Sequence, residues 1–392
     1  MGATNQRIAI IGAGPGGLTC ARILQRHGIP VTVYERDADA HARQQGGSLD
    51  LHEADGQAAL REAGLLEEFL DAARPEGQEM RRFGTDGTLL DRHLPADGET
   101  SAPEIDRGLL RDLLLRSLAP GTVRWGHAAA AVTGPSAGPR TVVFRDGGSV
   151  EADLVIGADG AGSPVRAAVS DAVPEYSGVD FLEAWFEDVE SRHPDLARLV
   201  GQGSAMAADA DGALFAQRNG GGRMRVYVVR RRPLDWMRRA GLTSDDTAGL
   251  REILLREFGT WSPDLLRLLA DNDGPYVDRP LFVLPAPHTW EHSPSVTLLG
   301  DAAHLMPPAG VGVNLALLDG CELALALAGA DSLDAAVRAY EATMLPRAAA
   351  LATQLAGHAD FLLDDPDGAE GAGGPGPVGG GVGGPVPALA ER

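Results

Sequence analysis

Residues 7–37 read RIAIIGAGPGGLTCARILQRHGIPVTVYERD. Arg7–Ile11 is a short, apolar, β-branched run, the pattern of a buried strand. Gly12-Ala-Gly14-Pro-Gly16-Gly17 interrupts it, and Leu18–His27 carries apolar residues at helical spacing up to the stop signal Gly28. Val31–Tyr34 returns to a strand pattern. Strand, turn, helix and strand make a βαβ unit, which implies a parallel sheet. The turn fits G-x-G-x-x-G. Gly12 permits the tight turn, Gly14 lets the backbone approach a pyrophosphate, and Gly17 permits close packing of helix on strand. The helix N-terminus stabilises the anion. Glu35 ends the second strand, where a carboxylate accepts from ribose hydroxyls. An acid at that place disfavours a 2′-phosphate, so the dinucleotide expected in this site is FAD or NAD rather than NADP.

Farther along, strands are expected at Thr141–Phe144, Asp153–Ile156 and Val296–Leu299. Period-2 stretches at Leu214–Gln217 and Met224–Val229 suit an antiparallel sheet with one face covered. Leu315–Ala328 reads as a helix. Ser332–Leu345 reads as another, which Pro346 should kink or restart before Ala348–Leu363. The expected organisation is a discontinuous cofactor domain (1–74, 101–172 and 277–330) interrupted by a β-rich substrate domain (75–100 and 173–276). A C-terminal helix (331–363) and a disordered Gly/Pro-rich tail (364–392) follow.

Composition narrows the functions. The chain has 392 residues, enough for two domains at about 100–200 residues each. Its 34 Lys and Arg against 55 Asp and Glu give a net charge of −21. So acidic a chain is not expected to follow a nucleic-acid backbone or an anionic membrane surface. Cys20 and Cys321, set among small and apolar residues, read as inert buried thiols rather than a disulfide framework or a metal site. The ten histidines show no ligand spacing. No signal segment or membrane span is read from the sequence, and a cytoplasmic location is expected. Arg230-Arg231-Arg232 reads as a solvated strand end, and His304 as structural.

Two later turns place glycine and acid after a strand: Asp159-Gly160-Ala-Gly-Ser163-Pro-Val165-Arg166 and Gly300-Asp301-Ala-Ala-His304-Leu-Met-Pro307. Together with the first turn they resemble the three motifs of the FAD-dependent aromatic-ring hydroxylases. The stretches Val33–Asp37, Gly46–His52 and Glu104–Arg107 with Leu110-Arg111 are similar to the tetracycline-inactivating branch of that family, over roughly residues 7–363. The resemblance implies an α/β fold like that of para-hydroxybenzoate hydroxylase: a Rossmann-type FAD domain interrupted by a β-rich substrate domain, with a long C-terminal helix. It implies that Asp301 bonds the ribityl chain of FAD, that Arg36 beside Glu35 belongs to the cofactor site, and that Asp50 and Arg107 contact FAD. Arg43 would lie where NADPH docks, and Asp159 and Arg166 would serve the first turn and the NADPH path. Pro307–Asn314 opens a helix, so the N–H groups of Gly312, Val313 and Asn314 are placed to face the isoalloxazine. This loop is one residue shorter than in its relatives.

Glu183, Ser204, Arg225 and Tyr227 stand where the tetracycline branch has Gln, Arg, His and Gly near the drug, so the pocket is expected to be smaller and differently charged. The implied reaction has two halves. NADPH delivers hydride to flavin N5; O₂ then adds at C4a to give a hydroperoxide that hydroxylates an electron-rich aromatic or polyketide substrate, a tetracycline among the candidates. A single glycine fingerprint suits tight FAD and transient NADPH, and a monomer is expected. Two rivals stay open at this level: an NAD-dependent dehydrogenase, and a flavin-containing protein that only sequesters a ligand.

Overall fold

The computed structural model describes residues 6–43, 46–136 and 138–356; the expected tail lies outside them. Five strands form one wholly parallel sheet, in the spatial order Val296–Leu298, Leu154–Gly157, Ile8–Ile11, Val31–Tyr34 and Val123–Arg124. Ile8–Ile11 is buried along its whole length, as a central parallel strand covered on both faces must be. The helix Pro15–Arg26 follows the first turn and crosses the helix Gly312–Gly329. The crossing is close because both partners lack side chains there. A Cβ on Gly16 would lie 2.4 Å from the carbonyl oxygen of Ala316, and one on Gly320 would lie 2.3 Å from that of Gly16. Gly312–Gly329 is long and apolar enough to span a membrane by length and composition, but here it packs as a core helix of the cofactor part. Cys20 and Cys321 are buried free thiols, and burial raises both, Cys321 to about 12.

The second large element is a seven-stranded sheet, in the order Val277–Val283, Glu175–Phe186, Arg223–Arg231, Gly212–Asn219, Ser204–Ala208, Met80–Phe83 and Leu89–His93. Its pairings are antiparallel, except that Ser204–Ala208 runs parallel to Met80–Phe83. Period-2 alternation sorts its two faces. Leu182, Ala184, Phe186, Leu214, Ala216, Val226 and Val228 pack under the helices Trp236–Ala240, Thr247–Glu257 and Pro263–Ala270. The intervening positions, among them Phe181, Glu183, Trp185, Phe215, Gln217, Arg225 and Tyr227, stand on the opposite face. The short antiparallel pair Ser48–Asp50 and Glu104–Asp106 lies between the two sheets.

Three expectations change. Val277–Val283, assigned from the sequence to the cofactor part, is an edge strand of the large sheet, hydrogen-bonded to Glu175–Phe186. The C-terminal helix runs unbroken from Leu333 to Leu355 with Pro346 inside it. Pro346 and Ala342, the residue whose carbonyl it deprives of a partner, are both exposed, so water can satisfy the freed oxygen. The arginine run is not a solvated end. Arg232 is buried, stacks 3.8 Å from the centroid of the Trp236 ring and pairs with Glu257, while Arg230 lies over Phe258.

Candidate active site

The first turn is fixed from below and open above. Gly12 has φ +108°, and a Cβ on it would lie 2.2 Å from the carbonyl oxygen of Ala158; a Cβ on Gly17 would lie 2.4 Å from that of Gly12. Gly14 has nothing within 4 Å of its missing Cβ. Glu35 is buried and accepts from the N–H of Ala13 at 2.6 Å and of Asp37 at 3.0 Å. Each of its oxygens keeps a lone pair for a further donor. Arg36 is exposed. Arg43, also exposed, donates to Asp37 at 3.1 and 3.2 Å and stands at the rim. Arg111 is the clamp of this region: buried, it donates to the carbonyls of Ala13 and Ala40 and to Asp37.

The second and third turns meet the first. The Oδ1 atom of Asp159 is buried without a hydrogen-bond partner among the described residues, and burial lifts the carboxyl to about 6. Arg166, expected on the NADPH path, is instead 3% exposed. It donates to the carbonyls of Ala302, Ala161 and Asp301 at 2.8, 2.9 and 3.0 Å. It ties the two turns together and faces no open path.

Asp301 starts a short helix, is exposed, and its carboxylate has no hydrogen-bond partner among the described residues. What holds its turn is a residue the sequence reading passed over. Asp319, fully buried, accepts from the N–H of Gly300 at 3.0 Å, from His304 Nε2 at 2.6 Å and from Arg347 at 2.9 Å. Burial opposes both charges of the His304–Asp319 pair, but their mutual attraction outweighs it, raising the histidine and lowering the aspartate. Asp319 is one of two acids, with Glu322, inside the apolar run Leu315–Ala328, and that was the available signal.

The helix Gly312–Gly329 points its N-terminus toward the same cleft. Gly312 has nothing within 4 Å of its missing Cβ. Val313 is half-buried. Asn314 is fully buried, and its amide is already engaged: Nδ2 donates to the carbonyl of Asp50 and Oδ1 accepts from the N–H of His52, each at 2.9 Å. Its side chain therefore fastens the Asp50 segment to the helix, and the backbone N–H groups are what the first turn of the helix offers a ligand. The Asp50 carboxylate itself pairs with His52 at 3.0 Å.

Arg107 is solvent-exposed, yet the cleft desolvates its guanidinium enough to lower it. Arg225 adds to that effect, while Tyr227, Asp301 and Glu183 oppose it. That set places the large sheet beside the three turns. Arg225 is buried, stacks 3.8 Å from the Trp185 centroid, donates to Tyr227 Oη at 3.2 Å and lies 3.6 Å from Glu183. Tyr227 stands between Phe181 and Phe215, and desolvation raises its phenol. Ser204 is buried at the Cα position opposite Gln217. Gly47 marks where these groups converge: its missing Cβ would lie 2.9 Å from Tyr227 Oη and 3.3 Å from both Arg225 Nη1 and Gln217 Oε1.

The donor set fits a flavin dinucleotide. A carboxylate stands at the second strand end, an orphaned carboxylate oxygen lies beside the glycine turn, and Asp301 is uncommitted. The open surfaces at Gly14 and Gly312 leave room along the line between them. Parallel-sheet strand ends joined in this way to a mostly antiparallel sheet make the cleft of an aromatic-hydroxylase-like fold. The FAD binding domain family matches residues 5–263 and 288–354, and the chain belongs to it: this is a flavin-dependent monooxygenase. It is 34% identical to the monooxygenase penA of Penicillium thymicola, over 93% of this chain and 96% of that one. Klebsiella pneumoniae HpxO, solved with FAD and uric acid, superposes with a TM-score of 0.77 at 22% identity, over 93% of this chain and 90% of that one. The tetracycline destructase Tet(51) superposes with a TM-score of 0.67 at 20% identity, over 91% of each chain. At such identities both structures speak to the fold alone.

Proposed function

We propose that this monooxygenase consumes NADPH and O₂ to hydroxylate a compact, electron-rich aromatic molecule bound against the Arg225–Tyr227 face of the large sheet. One observation carries the reading: polar groups of that face converge on Gly47, in a cleft that also presents Arg107 and Asp301. Bound FAD supplies hydride acceptance and oxygen activation. The chain's own residues hold and shield it. Asp301 and Glu35 accept from its hydroxyls. The N–H groups of Gly312, Val313 and Asn314 and the charge of Arg107 stabilise negative charge on the ring system. Phe181, Trp185 and Phe215 keep water from the substrate side. Arg225 stacked on Trp185 and Tyr227 set between two phenylalanines fill the floor of the cleft, which favours one or two fused rings over a four-ring tetracycline.

Purified protein should be yellow, release flavin on heating, and oxidise NADPH faster with a suitable hydroxyarene, whose product gains one oxygen atom. Flavin without any substrate-stimulated oxidation across one- to four-ring phenols would favour the sequestering alternative. Arg43 supports NADPH docking from the rim. Arg43→Ala should slow flavin reduction about tenfold, the weight of one charge-assisted hydrogen bond, with FAD retained. Stopped-flow reduction at wild-type speed would remove Arg43 from that role.

A further inference from the structure

Behind the converging polar groups lies a buried acid that neither the motifs nor the resemblance gives a role. Glu104 belongs to the short strand Glu104–Asp106, with Asp50 as its Cα partner. It is 7% exposed, and its two oxygens accept from Gln217 Nε2 at 3.1 and 3.4 Å. Gln217 is opposite Arg225 in the large sheet, and its other amide atom, Oε1, points toward Gly47 along with Arg225 and Tyr227. One amide thus has an end on the acid and an end on the substrate cleft.

We propose that Glu104 and Gln217 form a protonation-switched pair that sets whether the cleft offers its substrate a hydrogen-bond acceptor or a donor. The inference rests on the substrate-face reading above. When Glu104 is ionised it can only accept, so Gln217 turns Nε2 to it and Oε1 to the cleft, as observed. When a proton from solvent binds Glu104, the carboxyl gains a donor. Gln217 then turns Oε1 to the acid and leaves Nε2 facing the cleft. The first state suits a substrate hydroxyl and the second a substrate carbonyl.

The switch lies in an accessible range. Burial raises the Glu104 carboxyl to about 7, with Asp50 adding to the rise and Ser48, Arg74 and Gln217 opposing it. The other charges nearby are largely committed. Arg74 lies 4.0 Å from Glu104 and 3.5 Å from Asp106, which also pairs with Arg223 at 3.3 Å. Arg225 lies across the sheet from Gln217, on Trp185 and near Tyr227 and Glu183, with Arg107 beyond them. Glu104 is a positioning residue, acting through Gln217.

Two measurements on the flavin-loaded protein test this. In infrared difference spectra, the wild type should lose protonated-carboxyl intensity between about pH 6 and 8. Glu104→Gln should lack the component due to Glu104 while keeping those of Asp159 and Asp180, whose carboxyls burial also raises. The near-isosteric Gln217→Met removes a donor to the ionised acid, so the same titration should move to higher pH. For a hydroxyarene substrate, wild-type KM should rise about tenfold as pH falls through that range, the worth of one hydrogen bond. In both variants this dependence should vanish while FAD content is kept. A wild-type band that Glu104→Gln leaves unchanged, a Glu104 component unmoved in Gln217→Met, or an unchanged KM profile in both variants would each overturn the switch. A protein that holds no flavin would instead count against the monooxygenase reading, and the infrared titration would still decide the pair.

Discussion

Gly16→Val is expected to destabilise the protein by about 3 kcal/mol or more and to abolish FAD retention. The cause is geometric. Any Cβ at position 16 falls 2.4 Å from a backbone oxygen of Ala316 and 2.8 Å from Leu299 Cδ1, and a backbone carbonyl inside a helix cannot swing aside. The helices Pro15–Arg26 and Gly312–Gly329 would have to separate, carrying with them the two N-termini that face the cleft. Gly320→Ala tests the same crossing from the other side. Gly14→Ala is the control: with nothing within 4 Å, it should leave the melting temperature of the apoprotein unchanged and weaken only FAD binding. Thermal unfolding of flavin-free protein separates these outcomes. A Gly16→Val protein that melts like wild type would mean the crossing is looser than described.

Asp301→Ala should raise the Kd for FAD by roughly 10–150-fold, the range for a hydrogen bond to a charged group of about 1.5–3 kcal/mol. Its carboxylate is exposed and makes no hydrogen bond among the described residues, so its removal should not destabilise the apoprotein. That pairing of a large binding loss with unchanged apoprotein stability identifies a ligand-holding residue. Flavin titration alongside apoprotein melting checks it. Unchanged flavin affinity would remove Asp301 from the cofactor site, and a large drop in melting temperature would make its role structural.

The β-α-β opening was legible because alternating burial demands and the glycine turn act within some thirty residues. The glycine-acid turns were legible because each follows a strand and their residue types have few other uses. The residues that hold those turns were not. Arg111 and Arg166 act on backbone atoms 98 and 135 positions away, and Asp319 on one 19 away. The motif of Arg166 gave it a place at the turns, but nothing in any of their neighbourhoods names the carbonyl or N–H they hold. The Glu104–Gln217 contact spans 113 positions for the same reason. Arg232 was misread because a run of like charges suggests solvent, whereas Trp236 and Glu257 supply it with a ring face and a counter-charge. The helix does not restart at Pro346, which sits with Ala342 on its exposed face, where water can take the freed carbonyl.

The central sheet has a consequence for how the protein is made. Its order places Val296–Leu298, its last strand to be synthesised, beside Leu154–Gly157, and the helix proposed to face the flavin begins only at Gly312. A nascent chain that ends before that point lacks the N–H groups of that helix. If those groups hold the flavin as proposed, its capture is a late step, and riboflavin starvation should leave full-length apoprotein waiting for its coenzyme.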